Sequence, residues 1–463
     1  MSARRALRRR AVPLLLLLTT AAMAFCARAP SDGAGWRTAF VLTAFSGFLL
    51  LAAAWRWGGY RAWTVLGTAL ALRLLVFPLL PVLSDDGYRY VWDGLVQVEV
   101  GVNPYRFTPS DPALAPLQDA PLYDTLNSAG YYSVYPPLSQ LCFALGALAG
   151  SLGWIAIWYL IKLLLVTAEV GGLWLLRRMI TPRLLLLYAW NPLVVLETAG
   201  QGHTEALAVG LIVSCVYAAR KGRGGLSAAA LAGAGWVKLF PFLLLPLVVR
   251  RFGARAALAG AVVIVLLALP YAAPYVPGHF ASSLRLYVRL FEFNAGPYLA
   301  MKGLLGLWTG EDWSKTLGPA LLVPFFLSLA LVYVLDLKRA LPLAGIMSII
   351  LGLFFATATT VHPWYLVPSL ALVPLTSGSA AGRWWGAAWL WLSACAMATY
   401  WRYAGPTWGY AVAVAAGWSG WALLTGRAAF EVGLPTLMRA RARRSSPPSG
   451  PCSAARVRAP RSP

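Results

Sequence analysis

Apolar stretches of roughly 17 to 25 residues follow one another along nearly the whole chain, each long enough to cross a bilayer core as a helix. They lie near 11–28, 37–56, 62–83, 154–176, 183–199, 205–219, 256–273, 317–337, 341–360, 363–376, 384–401 and 407–425. Between Gly225 and Val249 the pattern is broken at Lys238-Leu239-Phe240-Pro241, which predicts two short helices forming a hairpin. The stretch 138–150 is short for a crossing and reads as an interfacial or partly inserted helix. Apolar–polar alternation over about ten residues, the mark of a membrane barrel, is absent. The pattern predicts an all-α fold, a polytopic transmembrane helical bundle of about 12–14 spans.

Composition strengthens this reading. The chain is 59% hydrophobic and only 12% charged, with a mean hydropathy of +0.66, and no stretch supplies the polar core of a soluble domain. A formal net charge of +23 is in the range of nucleic-acid binders, but its distribution argues against that class. Basic residues crowd the start (Arg4, Arg5, Arg8, Arg9, Arg10), the tail from Arg439 to Arg461, and short connections such as Arg177-Arg178, Arg220-Lys221, Arg250-Arg251 and Lys338-Arg339. This is the positive-inside pattern of a cytoplasmic membrane protein. It places both termini inside, and outer loops at about 84–153 and 274–316. The first run reads as a signal peptide or a retained span; without a clear cleavage site, the retained span is favoured. Three regions follow: N-terminal spans over 1–61, a catalytic membrane domain over 62–426, and a basic, disordered cytoplasmic tail over 427–463. The five cysteines are scattered and show neither paired nor metal-ligand spacing.

Candidate chemistry concentrates in the first outer loop. Seven of the sixteen acidic residues fall between Ser84 and Tyr135, beginning with Asp85-Asp86. A carboxylate at the mouth of a membrane helix is costly to hold and is a functional candidate by default. If Tyr88 to Gly94 continues the helix of 62–83, then Asp86, Arg89, Tyr90 and Asp93 share one face while Asp85 points elsewhere. Adjacent carboxylates so splayed do not flank a single glycosidic bond. One carboxylate as general base, with cations holding a phosphate leaving group, fits better. A bland alternative stands beside this: Asp85 pairs with Arg89, and Asp86 caps a restarting helix.

The string Ser84-Asp85-Asp86-Gly87-Tyr88-Arg89-Tyr90-Val91-Trp92-Asp93-Gly94, followed by Asn103-Pro104-Tyr105 and Tyr135-Pro136-Pro137, resembles the first outer loop of bacterial C-type (GT-C) glycosyltransferases. The closer likeness is to the polyprenyl-phosphomannose-dependent mannosyltransferase group. Gly202-His203-Thr204-Glu205-Ala206-Leu207 and His362-Pro363-Trp364-Tyr365 resemble two shorter motifs of that group. The resemblance covers roughly residues 62 to 376. It implies a GT-C-like helical enzyme that moves a hexose, most simply mannose, with inversion, from a polyprenyl-phosphate donor to a hydroxyl acceptor on the outer face of the cytoplasmic membrane. By position it makes Asp86 the catalytic base, with Asp85 the alternate. Two runs precede the span leading into the loop, where many superfamily members have one. No large soluble carbohydrate-binding domain follows the membrane part, so acceptor recognition falls to loops and the acceptor (glycan, lipid or other alcohol) stays open.

Around this core the sequence offers further candidates, each with a structural counterpart. Arg89, Lys238, Arg285 and Arg289 are the cations for a donor phosphate; Arg89 can instead pair with Asp85, and Lys238 can snorkel to the cytoplasmic interface. Lys162, within 154–176, poses the same question. Tyr88, Trp92 and Tyr105 are aromatic candidates for stacking on sugar. His203, Glu205, His362 and Tyr365 are substrate-binding candidates, although Glu205 also suits the first turn of a helix on dipole grounds alone. No cofactor is named by the residues, and no metal-binding spacing such as His-Glu-x-x-His occurs. The competing function class is a transporter or flippase of lipid-linked glycans; a transporter needs its charges near the bilayer midplane, not in a loop of about 50 residues.

Overall fold

The computed structural model describes residues 3–28, 34–119, 121–289, 291–337 and 342–445. The basic stretch Lys338-Arg339 and residues 446–463 of the basic tail therefore lie outside the described residues, while 427–445 continue the last helix, Thr407–Ser445. The protein is an all-α polytopic bundle; the described residues form helices and turns, with one isolated parallel bridge between Phe293 and Thr360. In lipid every backbone N–H and C=O needs an internal partner, and a chain built of apolar runs satisfies that demand as helices.

Five helices are long and apolar enough to cross a membrane by themselves: Arg10–Ala27, Gly35–Trp57, Trp154–Arg177, Ala254–Tyr271 and Ser314–Asp336. A bent pair, Pro192–Gly200 with Glu205–Arg220, is together long and apolar enough for a sixth, broken by a 115° bend. Other expected spans are shorter pieces, including Ala62–Val76, Leu343–Thr357 and Pro363–Thr376. Proline is the physical reason: it lacks an N–H and clashes with the preceding turn. The run 62–83 stops being helical after Val76, ahead of Pro78 and Pro81, and the helix restarts at Asp86. The continuous helix expected from 62 into the acidic loop is therefore broken.

Lipid-facing and core-facing surfaces separate cleanly. Helix Ala254–Ala268 buries only Ala256 and Gly260 and turns Leu258, Val265 and Leu266 outward. One large apolar core runs from Val12 and Leu16 in the first helix to Ala413 and Val414 in the last. The first helix thus packs as part of the bundle. A smaller core, built on Tyr90, Trp92, Phe143 and Trp158, underlies the acidic loop. Trp154, at the start of the helix Trp154–Arg177, meets Tyr88 of that loop. At 1.5 Å per residue this 24-residue helix carries Arg177 about 35 Å away. There the Arg177 guanidinium lies over Trp63 and Trp174.

Candidate active site

The acidic motif is positioned by two clamps that reach it from distant parts of the chain. Lys162 Nζ donates to the carbonyls of Phe77 (2.7 Å), Leu79 (2.8 Å) and Gly200 (2.8 Å). One ammonium thus satisfies backbone groups released where two helices break. Gln201 Oε1 accepts from the N–H groups of Val82 (3.1 Å) and Leu83 (2.9 Å). Together they fix the segment carrying Asp85-Asp86 against the segment carrying His203 and Glu205. Two glycines permit the approach. A Cβ on Gly87 would lie 2.6 Å from the Trp158 ring, and one on Gly202, already at φ +65°, would lie 2.7 Å from both Trp158 and Lys162.

Asp86 is the first residue of helix Asp86–Val98, and Asp85 occupies the N-cap position without a side-chain capping bond. Asn127 Nδ2 donates to Asp85 Oδ2 at 3.2 Å. Desolvation pushes the Asp85 carboxyl above the usual carboxylate value, and the Asn127 hydrogen bond acts in the opposite direction. Arg89 does not pair with Asp85. Its Nε donates to Asp93 Oδ1 at 2.8 Å, and its Nη1 donates to the carbonyls of Ser128 and Tyr131, both at 3.1 Å. Asp85 lies before the helix and Asp93 within it, so only Asp93 is a true i+4 neighbour of Arg89 on its surface. Arg89 thereby pins the far side of the loop.

Two cavities meet at this point. A polar cavity of about 600 Å³ is lined by Asp85, Asp86, Arg89, Asn127, Tyr132, His362, Trp364 and Tyr403, with Arg37 and Arg402 among its other walls. An apolar groove of about 390 Å³ is lined by Leu243, Leu284, Leu322, Phe325, Phe326 and Phe354, with Lys238 and Tyr365 in its wall. Asp86, Val134, Tyr135 and Thr360 line both, and Asp86 is the charged residue the two linings share.

Lys238 sits in the turn between helix Gly224–Gly235 and the short helix Phe240–Leu244. It does not snorkel to the cytoplasmic interface. Its Nζ lies 3.2 Å from Glu205 Oε1 and over the rings of Tyr135 and Tyr365. Behind it, His203 Nδ1 is 3.0 Å from Glu197 Oε2, and Tyr400 donates to Glu197 Oε1 at 2.8 Å. The His203 ring stacks on Trp364, which stacks on His362, which stacks on Phe293. His203, Glu205, His362, Tyr365 and Lys238 thus form one cluster beside Asp86.

Other expected site residues lie elsewhere. Trp92 is buried against Tyr123. Tyr105 is buried, donates to the Tyr135 carbonyl and touches Tyr271 and Phe280. Tyr88 packs on Trp154. None of the three lines either cavity, because each aromatic ring is taken up by the loop's own core. Arg285 is exposed on helix Val276–Arg289, outside both linings, although its neighbours Ser283 and Leu284 reach them. The side chain of Arg289 lies outside the described residues. Sequence reasoning passed over Arg37, Asn127, Glu197, Trp364, Arg402 and Tyr403. The available signal for Arg402 was a cation just after Tyr400-Trp401 at a helix end. Among the described residues no group of three or more His, Cys, Asp or Glu side chains is placed to hold a metal ion.

A family model described as alpha-(1->6)-mannopyranosyltransferase, N-terminal domain, matches residues 17–254, just over half of the chain. The match takes in the acidic motif, both clamps, Glu205 and Lys238, and stops before His362. No curated protein matches the chain.

Proposed function

Since this chain belongs to the alpha-(1→6)-mannopyranosyltransferase family and is a mannosyltransferase, we propose that it moves mannose from a polyprenyl-phosphate donor to an acceptor hydroxyl at the outer face of the cytoplasmic membrane. The isoprenoid tail occupies the apolar groove, with its phosphate beside Lys238. The acceptor enters through the polar cavity. The acceptor oxygen attacks the anomeric carbon from the side opposite the phosphate. Asp86 takes the hydroxyl proton, the bond from carbon to phosphate oxygen breaks, and polyprenyl phosphate departs with the electron pair. Inversion gives an alpha linkage from a beta-linked donor.

The observation that carries this reading is the place of Asp86 on the wall common to a greasy groove and a polar chamber. A base there touches an acceptor from one side and a lipid-borne sugar from the other. Lys238 lines the apolar groove while Arg89 lines only the polar cavity, which favours Lys238 as the donor-phosphate cation. The test incubates membranes containing the chain with radiolabelled polyprenyl-phosphate mannose, polyprenyl-phosphate glucose and a nucleotide-linked mannose. Incorporation from the first alone is expected. Incorporation from the nucleotide sugar in membranes stripped of polyprenyl phosphate would overturn the donor assignment.

A further inference from the structure

A separate concentration of positive charge lies at the far end of helix Trp154–Arg177, away from the acidic loop. A pocket of about 310 Å³ there is lined by Ala62, Arg177, Arg178, Ile180, Pro182 and Leu185. It holds two guanidiniums and no acidic residue. Among the described residues no carboxylate or other side-chain acceptor meets either arginine. Arg220 adds further charge at the edge, where it donates to the carbonyl of Met179 at 3.1 Å, between Arg178 and Ile180.

The arginines are held by aromatic faces. The Arg177 guanidinium lies 4.3 Å from the Trp63 ring centre and 4.6 Å from that of Trp174, and Arg178 lies 5.6 Å from Trp174. The two indoles meet at 5.6 Å. A guanidinium stacked by its face keeps its N–H edge for a ligand, and that planar fork matches two phosphate oxygens. Membrane insertion alone explains basic residues at a helix end, but it calls for neither a pocket nor an aromatic clip.

An apolar slot leads away from the clip. Trp63, Gly67, Leu70 and Leu74 are exposed at helical spacing along Ala62–Val76. Trp174, Gly171 and Leu163 form the matching exposed stripe on Trp154–Arg177. A Cβ on Gly67 or Gly171 would meet nothing within 4 Å, so both helices leave open space one turn beyond the tryptophans. On their buried side the same two helices are tied by Arg73 and Glu169 at 2.6 Å. Charge at one end and bare apolar helix beyond it match a molecule with an anionic head and a hydrocarbon chain.

We propose that Arg177 and Arg178, clipped by Trp63 and Trp174, bind the phosphate of one anionic glycerophospholipid, with an acyl chain lying in the slot over Gly67 and Gly171. This site is distinct from the donor groove, whose lining shares no residue with it. A basic pocket between membrane helices is suited to a phosphate headgroup.

The experiment uses the full chain, purified in a neutral detergent and stripped of native lipid. It is titrated with dioleoyl phosphatidylglycerol, dioleoyl phosphatidylcholine and glycerophosphoglycerol, which is the first headgroup without its chains. Native mass spectrometry reads the one-to-one adduct. Wild-type protein should bind phosphatidylglycerol on the order of tenfold more tightly than phosphatidylcholine, the scale of a hydrogen bond to a charged group. Arg177→Gln and Arg178→Gln should each shrink that ratio towards one, and Arg177→Lys should keep part of it. Arg178 is exposed, so its variant tests the site without a folding risk. Gly171→Leu fills the slot and should weaken phosphatidylglycerol binding several-fold at an unchanged melting temperature. Equal affinity for the two lipids in wild type would overturn the proposal, as would a preference that survives both glutamine variants. Glycerophosphoglycerol binding as tightly as the intact lipid, with Gly171→Leu without effect, would overturn the lipid assignment and make the pocket a site for a soluble phosphate compound.

Discussion

Lys238 Nζ stands 3.2 Å from the carboxylate of Glu205, which is fully buried, so the cation of the apolar groove is also the counter-charge of a buried acid. Removing one partner of such a pair strands the other, at a typical cost of about 3–5 kcal/mol. Lys238→Met should therefore lower the melting temperature and raise the donor KM together. The double variant Lys238→Met/Glu205→Gln should recover most of the stability and none of the donor affinity. Thermal unfolding beside donor titration checks this. Recovery of donor affinity in the double variant would mean that Lys238 serves only Glu205.

Asp86→Asn keeps shape and volume but cannot accept the hydroxyl proton. Turnover should fall by roughly a hundred- to ten-thousand-fold, the usual contribution of a general base. Donor KM should change little, because Lys238 is the cation proposed for the donor phosphate. Asp85→Asn should be milder, since that carboxylate is engaged by Asn127. Initial rates at saturating donor decide the assignment: wild-type turnover in Asp86→Asn removes it from the mechanism, and a deep loss in Asp85→Asn alone exchanges the two roles.

Asp85 also predicts a pH dependence. Its pKa is raised by desolvation and lowered by the hydrogen bond from Asn127, with desolvation the larger. An ionised Asp85 next to Asp86 raises the proton affinity of the base, so the rate should gain as Asp85 loses its proton. Asn127→Ala removes the opposing hydrogen bond, pushes Asp85 further up and moves that limb to higher pH. Asp85→Asn should abolish it. For stability the sign is reversed. With the folded value above the unfolded one, the contribution of Asp85 is fully present below the unfolded pKa and is lost as pH rises through the folded pKa. Rate–pH and melting–pH profiles of the three proteins test both statements.

The parts of this site legible in the sequence are those whose chemistry is local. Asp85-Asp86 between apolar runs, Lys238 in a broken hairpin and Glu205 at a helix start all violate the apolar pattern where they stand, and all meet around one point. What escaped is set by contacts across the fold. Arg89 has a carboxylate four residues away on each side, and only the break before Asp86 decides for Asp93. Trp92 and Tyr105 look like sugar platforms in the sequence, but the loop needs a core of its own and uses both rings for it. Arg37 sits inside an ordinary apolar run, and its exposure to the cavity arises only from packing against residues more than 360 positions away. Several runs expected as continuous spans are shorter or broken helices, because hydropathy does not register where proline cuts a helix.

Lys162 and Gln201 should behave as positioning residues, since they hydrogen-bond to backbone groups and line neither cavity themselves. Misplacing reacting groups by about 1 Å can cost on the order of a hundredfold in rate. Lys162→Met and Gln201→Leu should therefore lower kcat and leave donor KM near its wild-type value. A rise in KM with unchanged kcat would assign Lys162 to the lipid phosphate instead. Lys162→Arg offers a conservative comparison, because it retains the charge and donors while changing their geometry.

The outer-face orientation proposed for the site rests on where the basic residues collect, and a single position tests it. Gly130 is exposed in the acidic loop, has nothing within 4 Å of a Cβ added there, and has no positive φ to strain. Gly130→Cys, in a chain stripped of its five native cysteines, should fold normally and carry a thiol close to Asn127 and the polar cavity. In intact cells a membrane-impermeant maleimide should label it fully, while a cysteine at Arg178, at the end of the helix that leaves the loop, should label only after permeabilisation. The helix Trp154–Arg177 is long enough to keep the two reporters on opposite faces of a bilayer. The reverse labelling pattern would turn the cavity towards the cytoplasm, where nucleotide-linked sugars are found, and would remove the main reason for a lipid-borne donor.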